Sequence, residues 1–174
     1  MDVLLRTFIN RLESLPDKPS ADALGKCVLT MDGRELPIDP YIHFSDQGYK
    51  RNVIHMSSKC EIAVLCFRKG QTTAIHDHGV SIGTTLIQEG IMTEELFEKQ
   101  TSGMIQQTLT LTHHKNDLAC IKLTTIHRVS NIHEGDLITI NIYFPPLTLM
   151  NIYNLENTQT EKLFSSQPPV RGNP

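Results

Sequence analysis

The chain has 174 residues, of which 39% are hydrophobic and 20% are charged, and these proportions exclude an intrinsically disordered chain. A length of this order favours one domain over two. The formal net charge is -3, from 16 basic and 19 acidic residues without a block of like charge, so we expect neither nucleic acid nor a membrane surface as a partner.

Apolar residues near the amino terminus recur at helical spacing. They are Leu5, Phe8, Leu12 and Leu15. Positions three and four apart lie on one face of a helix, which predicts a helix over residues 2–15 that ends before Pro16. Ser20 is suited to cap a second helix that runs to about Leu29. We therefore predict a helical segment over residues 2–29.

From Tyr41 onward, short β-rich runs follow one another without intervening helices. They are Glu61–Phe67, Gly83–Gln88, Glu94–Lys99, Gln106–Leu111, Ala119–Leu123, Arg128–Ile132, Leu137–Phe144 and Met150–Tyr153. This pattern predicts an all-β fold, either an antiparallel sandwich or a barrel. We expect a single domain over residues 1–164, followed by a flexible tail over residues 165–174, which are rich in serine, proline and glycine.

The sequence also bears on location. The longest apolar run, Ile62–Phe67, is far shorter than the roughly 18 residues that span a bilayer, and no basic segment follows Met1. We therefore expect a cytoplasmic protein without a membrane partner. The four cysteines form no CxxC pair, so we expect reduced thiols.

Three of the eight histidines indicate a metal site. His76 and His78 share one face of a strand because side chains alternate, so their imidazoles can converge on one ion. His127 reaches the same point if the sheet closes on itself, as it does in a barrel. The other five histidines have no partner at ligand spacing, and we expect surface or hydrogen-bonded roles for them. They are His43, His55, His113, His114 and His133.

The surroundings of these histidines resemble the two signatures of the cupin superfamily. The first is carried by Gly70, His76, His78 and Gly90, and the second by His127 and Asn131. The resemblance implies a small cupin-type β-barrel, jelly-roll-like, with the helices at its amino-terminal side. Where cupins usually supply a carboxylate ligand, Gly83 stands instead. The predicted site thus holds three neutral imidazoles and no anion.

Four strings narrow the resemblance to the cysteine dioxygenase family of thiol dioxygenases. They are YKRN (Tyr49–Asn52), IHDHG (Ile75–Gly79), HRVSN (His127–Asn131) and NIYFPP (Asn141–Pro146). The resemblance implies a mononuclear Fe(II) site that oxidises a small thiol carboxylate, such as cysteine, to its sulfinic acid with dioxygen. A purified sample could instead carry zinc, nickel or manganese, since imidazole accepts these ions.

The resemblance also implies roles for individual residues. His76, His78 and His127 are the implied iron ligands, and Arg51 and Tyr49 are the implied substrate-binding residues. Arg51 would hold the substrate carboxylate, for which the planar guanidinium fork of arginine is suited.

On the last motif, Tyr143 is the implied catalytic phenol, and Asn141 and Thr139 stand behind it. The family usually has histidine in place of Asn141 and serine in place of Thr139, and an asparagine cannot change its charge near neutral pH. Many animal members link the tyrosine to a cysteine, but this chain has Gly83 there, as bacterial relatives do. Along residues 137–144 the polar side chains share one face, which faces either a cavity or solvent.

Several carboxylates remain. Asp77 lies between two of the histidines and either accepts a hydrogen bond behind the site or is an exposed strand-end group. Glu94, Glu95 and Glu98 are expected on a solvated hairpin face.

Two alternatives to a thiol dioxygenase stay open. One is a cupin that binds a metal or a small ligand without turnover, which Asn141 favours. The other is a cupin enzyme, such as an isomerase or hydrolase, that uses another divalent metal. The sequence leaves the oligomeric state open.

Overall fold

The structure is a computed structural model that describes residues 1–30 and 36–164. Two helices precede a strand-rich region. The helices are α1 (Val3–Glu13) and α2 (Ala21–Thr30), followed by a single 3-10 turn (Asp39–Tyr41). The strands are β1 (Lys50–Met56), β2 (Glu61–Phe67), β3 (Ile75–His76), β4 (Ile82–Glu89), β5 (Met92–Lys99), β6 (Ile105–His113), β7 (Leu118–Ile121), β8 (Ile126–Ser130), β9 (Leu137–Phe144), β10 (Leu149–Tyr153) and β11 (Thr160–Phe164).

The strands form two antiparallel sheets that face each other. The first sheet has the order β1-β2-β9-β4-β7, and the second has the order β11-β10-β3-β8-β5-β6. In the described residues no strand pairing joins the two sheets, so the predicted barrel takes the form of two facing sheets. The predicted all-β architecture with amino-terminal helices is confirmed.

Both faces of the first sheet are covered. On its outer face the two helices pack against alternate residues of the sheet, including Ile62, Ile140 and Ile142. On its inner face the intervening residues, including Ala63 and Leu65, contact the second sheet. β9 lies in the middle of this sheet and every one of its residues is buried, so neither face of β9 meets bulk water.

Both helices begin within one residue of the predicted start, and α1 ends at Glu13, two residues before the predicted end at Leu15. The Asp2 side chain accepts a hydrogen bond from the Leu4 amide at 2.7 Å and caps α1. The Ser20 hydroxyl accepts one from the Ala23 amide at 3.1 Å at the start of α2. Their buried apolar faces place them on the first sheet. The side chains that form this contact are Leu5, Phe8, Leu12, Leu24 and Val28.

Each of the eight predicted β-rich runs falls on a strand, with small shifts at the ends. Three strands lie outside these runs: β1 and β11 were not predicted, and β3, the strand predicted to carry both His76 and His78, ends at His76. β1 contains charged and polar residues at most positions, β3 has only two residues, and β11 is largely polar, so none of them shows an apolar alternation. They form because a neighbouring strand supplies the pairing.

No disulfide joins any of the four cysteines, all of which lie in the described residues. Among the described residues, none of the helices is both long and apolar enough to span a bilayer. The predicted flexible tail, residues 165–174, lies outside the described residues.

A core substitution tests the double coverage of β9. Ile140 is 0% exposed and lies under the helices, whereas Ile132 is 62% exposed. We expect Ile140→Ala to lower the free energy of unfolding by about 2–5 kcal/mol, because it leaves a cavity between sheet and helices. Ile132→Ala, the matched control, should change it by less than about 0.5 kcal/mol. Chemical denaturation measures both, and similar losses in the two variants would contradict the packing described.

Candidate functional site

The structure brings His76, His78 and His127 together between the two sheets. His76 ends β3 and lies directly opposite His127 of β8, while His78 follows two residues after His76. The ring centroids are 4.8 to 4.9 Å apart, and one nitrogen of each ring lies within 4.8 Å of the other two. All three rings are buried. Two adjacent strands and one short extension therefore produce the convergence that the sequence predicts.

Hydrogen bonds to the protein orient two of these rings. His76 Nδ1 donates to the carbonyl oxygen of Ala74 at 2.9 Å, and His127 Nδ1 donates to Glu94 Oε1 at 2.6 Å. Each ring thus carries its proton on Nδ1 and keeps the lone pair of Nε2 free. His78 Nδ1 is buried and has no hydrogen-bond partner among the described residues.

The site favours neutral imidazoles. Burial, with the neighbouring His127 as the second cause, lowers the pKa of His76 to about 3. Burial, together with His127 and His76, also holds the pKa of His78 well below its usual value. Near neutral pH both rings keep an unprotonated nitrogen, which is the form that binds a metal. The three residues fit a divalent transition-metal ion with open coordination positions.

Glu94 is buried, whereas the sequence predicts a solvated hairpin face for it, and that prediction is wrong. It is 5% exposed, and its second oxygen accepts a hydrogen bond from His113 Nε2 at 2.9 Å. Burial raises the pKa of Glu94, but the hydrogen bonds from His113 and His127 outweigh it and bring the pKa down to about 2. The carboxylate is therefore ionised and holds the His127 ring. Alternation along β5 places Glu94 on the same face as Met92, which lines the cavity.

The other two glutamates of β5 differ from Glu94. Glu98 is exposed, as expected. Glu95 is half-buried and forms a two-pronged ion pair with Arg128, with nitrogen-to-oxygen distances of 2.6 and 2.8 Å. Two of the remaining histidines also have hydrogen-bond partners: His55 contacts Glu13 and His133 contacts Thr93. None of these groups lies among the three imidazoles.

The polar face of β9 forms the wall opposite the histidines, so it faces a cavity and not solvent. Thr139, Asn141 and Tyr143 all line this cavity. The space inside it that is open to a molecule the size of water is only about 30 Å³, far less than that of a typical ligand pocket. Apolar side chains form most of the remaining wall. They are Leu65, Phe67, Met92, Ile121 and Val129. The cavity is therefore narrow and mainly apolar, which limits the entry of water.

Tyr143 lies beside the histidines, and the side-chain hydrogen bonds of Asn141 go to residues other than Tyr143. The Tyr143 ring stacks on the His78 ring at a centroid distance of 5.7 Å. Burial raises the pKa of Tyr143, so its phenol stays protonated near neutral pH. The Asn141 amide accepts from the Thr85 hydroxyl and donates to the Thr139 hydroxyl, both at 2.7 Å. Asn141 and Thr139 thus form a fixed hydrogen-bonded chain on the cavity wall.

Gly83 lies directly opposite Tyr143 on the adjacent strand. A Cβ atom at this position would lie 2.9 Å from Tyr143 Cδ1 and 2.8 Å from the carbonyl oxygen of Ile142. Any side chain here would displace the tyrosine ring. The glycine therefore permits the close approach of the ring to β4 and offers no atom for a crosslink.

Asp77 turns away from the imidazoles and fixes the loop that carries them. Its carboxylate accepts hydrogen bonds from the Gly79 amide, from the Asn151 backbone and side chain, and from the Tyr153 hydroxyl at 2.7 Å. Burial raises the pKa of Asp77, but these hydrogen bonds outweigh burial and leave the pKa below its usual value. Of the two roles left open, the position behind the site is the one observed.

Arg51 and Tyr49 lie at one end of the inner face of the first sheet. Tyr49 stacks on Phe67 with a centroid distance of 4.9 Å. Arg51 lies opposite the cavity residue Leu65, and its charge acts on the phenol of Tyr143. Its guanidinium forms an ion pair with Glu61, a fully buried carboxylate that was not predicted as a site residue. In the sequence, Glu61 stands out only as an acidic residue at the start of an otherwise apolar strand.

A second group of possible ligands lies away from the cavity, where α1 meets β1. Glu13, His55 and Cys60 offer atoms within 4.8 Å of one another. Glu13 accepts hydrogen bonds from His55 at 2.7 Å and from the Cys60 thiol at 3.5 Å. Burial and the Glu13 carboxylate raise the pKa of Cys60 to about 12. These contacts already account for the cluster, which holds α1 on the sheet.

The sequence of this chain is similar to the sequences of known enzymes. Cysteine dioxygenase type 1 of Rattus norvegicus is 26% identical over 129 residues, a stretch that covers 71% of this chain and 64% of the rat protein. The human enzyme of the same name matches with the same identity and coverage. The matched stretch thus spans less than two thirds of the length of these relatives.

Among solved structures, a conserved protein from Klebsiella pneumoniae with a double-stranded β-helix domain superposes with a TM-score of 0.59. The two are 17% identical, and the match covers 70% of this chain and 93% of that chain, which supports the cupin-type fold alone. A sequence model of cysteine dioxygenase type I matches residues 30–156, a stretch that contains the three histidines, Arg51 and Tyr143. This chain therefore belongs to the cysteine dioxygenase type I family.

Proposed function

We propose that this protein is an iron-dependent thiol dioxygenase. A small thiol, RSH, reacts with one molecule of dioxygen to give the sulfinic acid, RSO2H, so that the sulfur loses four electrons and both oxygen atoms end on it. Membership of the family supports this activity. The observation that carries the proposal is the group of three buried imidazoles, with no carboxylate among them, in the wall of a small and mainly apolar cavity.

His76, His78 and His127 would hold the iron. Three neutral nitrogen donors neutralise none of the charge of a divalent ion, so an anionic ligand such as a thiolate is favoured as a further donor. When bound, ferrous iron supplies the Lewis acidity that deprotonates a coordinated thiol and the redox chemistry that dioxygen requires.

The other residues position the reactants. Tyr143 keeps its proton, so its phenol donates a hydrogen bond to an anionic sulfur or oxygen atom in the cavity. Glu94 orients His127 and makes it a stronger donor through the hydrogen bond to Nδ1. The apolar wall restricts water, which strengthens these electrostatic interactions. The protein thus contributes mainly geometry and charge.

A second candidate is a cupin that binds a metal and a small ligand without turnover. The observation that favours it is Asn141, whose amide is tied to Thr85 and Thr139 and cannot take up a proton. In this case Tyr143 would only shape the cavity. The two candidates differ in oxygen consumption and not in metal binding.

The test of function uses anaerobic protein loaded with ferrous iron. Thiols of different charge, including L-cysteine, 3-mercaptopropionate and cysteamine, are added with oxygenated buffer. We expect one molecule of oxygen to be consumed for each molecule of sulfinate formed, measured with an oxygen electrode and mass spectrometry. Iron-loaded protein that consumes no oxygen with any of the thiols would favour the binding protein.

Removal of one imidazole tests the metal site. We expect His127→Ala to lose the bound metal during dialysis, because two nitrogen donors remain in place of three. His114→Ala is the matched control, since His114 is exposed and outside the cavity. Elemental analysis of both variants after loading gives the metal content. Full occupancy in His127→Ala would show that the three histidines are not the ligand set.

Glu94 is tested by a change that keeps its shape. We expect Glu94→Gln to weaken metal affinity by about 10–100-fold, because the His127 ring loses its ionised acceptor. Glu98→Gln, on an exposed position of the same strand, should leave the affinity unchanged. Competition with a chromophoric chelator measures the two affinities. Equal values in both variants would mean that Glu94 does not act on the metal.

A further inference from the structure

Three side chains form a hydrogen-bonded row from the histidine site to the edge of the second sheet. They are His127 of β8, Glu94 of β5 and His113, the last residue of β6. β5 lies between β8 and β6, and β6 is the edge strand. The exposed fraction of the side chain rises along the row, from 4% for His127 to 6% for Glu94 and 15% for His113. The row therefore connects a buried site with a side chain that water reaches.

The strand register explains why these residues meet. Glu94 pairs with Val129 on β8 and with Leu111 on β6, so His127 and His113 are each two residues from a direct partner of Glu94. Residues two apart on a strand share a face, and such diagonal neighbours are within reach of long side chains. All three side chains therefore lie on the inner face of the second sheet, with Glu94 in the middle.

The two histidines use different oxygens of Glu94. His127 Nδ1 donates to Oε1 at 2.6 Å, and His113 Nε2 donates to Oε2 at 2.9 Å. Hydrogen bonds to an ionised acceptor are about twice as strong as neutral ones. The carboxylate is thus held at both oxygens, from one neighbouring strand on each side, and this fixes the plane of the carboxylate.

The orientation of the His127 ring depends on both contacts of Glu94. The last torsion of a glutamate side chain is broad, so a carboxylate held at one oxygen only can rotate. Without His113, Oε2 would lose a donor in a buried place, which is costly, and the carboxylate would turn toward water or another donor. His127 Nδ1 would then lose its fixed acceptor, and Nε2 would no longer be held toward His76 and His78.

We propose that His113 is a positioning residue of the metal site, which fixes Glu94 and, through Glu94, the ring of His127. This inference rests on the proposed function in one respect, because it requires a metal ion at the three histidines. His113 is not among the residues that line the cavity, so it acts on the metal through two hydrogen bonds and not by contact with a reactant.

Three substitutions of His113 separate hydrogen bonding from packing. The amide nitrogen of His113→Gln lies near the position of Nε2 and still donates to Glu94, whereas the amide of His113→Asn is too short and His113→Leu has no donor. We expect the Asn and Leu variants to weaken cobalt(II) binding about threefold to tenfold, and His113→Gln to bind it like the wild type. Competition with a chromophoric chelator measures the dissociation constants. His114→Leu, the matched control at an exposed neighbouring position, should also bind like the wild type.

The comparison of the two amides makes the test independent of the apolar variant. Circular dichroism checks that each variant is folded. Equal cobalt affinities in His113→Gln and His113→Asn would overturn the proposal, and this comparison decides the question even if His113→Leu does not fold. Wild-type affinity in a folded His113→Leu would overturn it as well.

A double variant tests whether the effect passes through Glu94. Glu94→Ala removes both acceptor oxygens, so we expect the further change His113→Leu to leave the cobalt affinity of Glu94→Ala unchanged. Residues that act through one another show such non-additive effects. A further loss as large as the loss in the wild-type background would mean that His113 acts by another route, and it would overturn the proposal.

Cobalt binding does not require turnover, so this inference and the proposed function fail separately. If the iron-loaded wild type consumes no oxygen while His113→Asn binds cobalt more weakly than His113→Gln, the dioxygenase activity is overturned and the positioning role stands. If the wild type consumes oxygen while all the His113 variants bind cobalt alike, the positioning role is overturned and the activity stands.

Discussion

The burial of β9 on both faces is the constraint on which the rest of the structure depends. Side chains alternate along a strand, so Ile140 and Ile142 pack under the helices while Asn141 and Tyr143 face the second sheet. Without the helices the outer face would be exposed, and without the second sheet the polar face would be an ordinary wet surface. The same packing that stabilises the fold therefore encloses a cavity with polar groups in its wall.

Every carboxylate near this cavity has a partner, and the partners explain what each carboxylate does. Glu94 accepts hydrogen bonds from two histidines and holds the ring of His127. Asp77 accepts hydrogen bonds from β10 and fixes the loop between His76 and His78. Glu61 forms an ion pair with Arg51 and is not among the residues that line the cavity. Among the described residues, the group of potential metal ligands in the cavity contains only imidazoles.

The positions around the three histidines have their own packing and hydrogen bonds. The glycine opposite Tyr143 leaves room for the ring and for nothing more. Asn141 connects two threonine hydroxyls and carries no proton to the phenol. The convergence of the three imidazoles therefore does not depend on a side chain at position 83 or on a titratable group at position 141.

The sequence by itself determined the helices, most of the strands, the trio of histidines and the family, because these depend on local periodicity, on short spacings and on motifs in order. It could not determine that Glu94 accepts a hydrogen bond from His127 or that Glu61 forms an ion pair with Arg51. Each of these pairs joins residues on different strands, and their meeting depends on strand order and register, which no periodicity along one strand specifies. Solvated and buried carboxylates look the same in a sequence, and only the tertiary structure decided which were which.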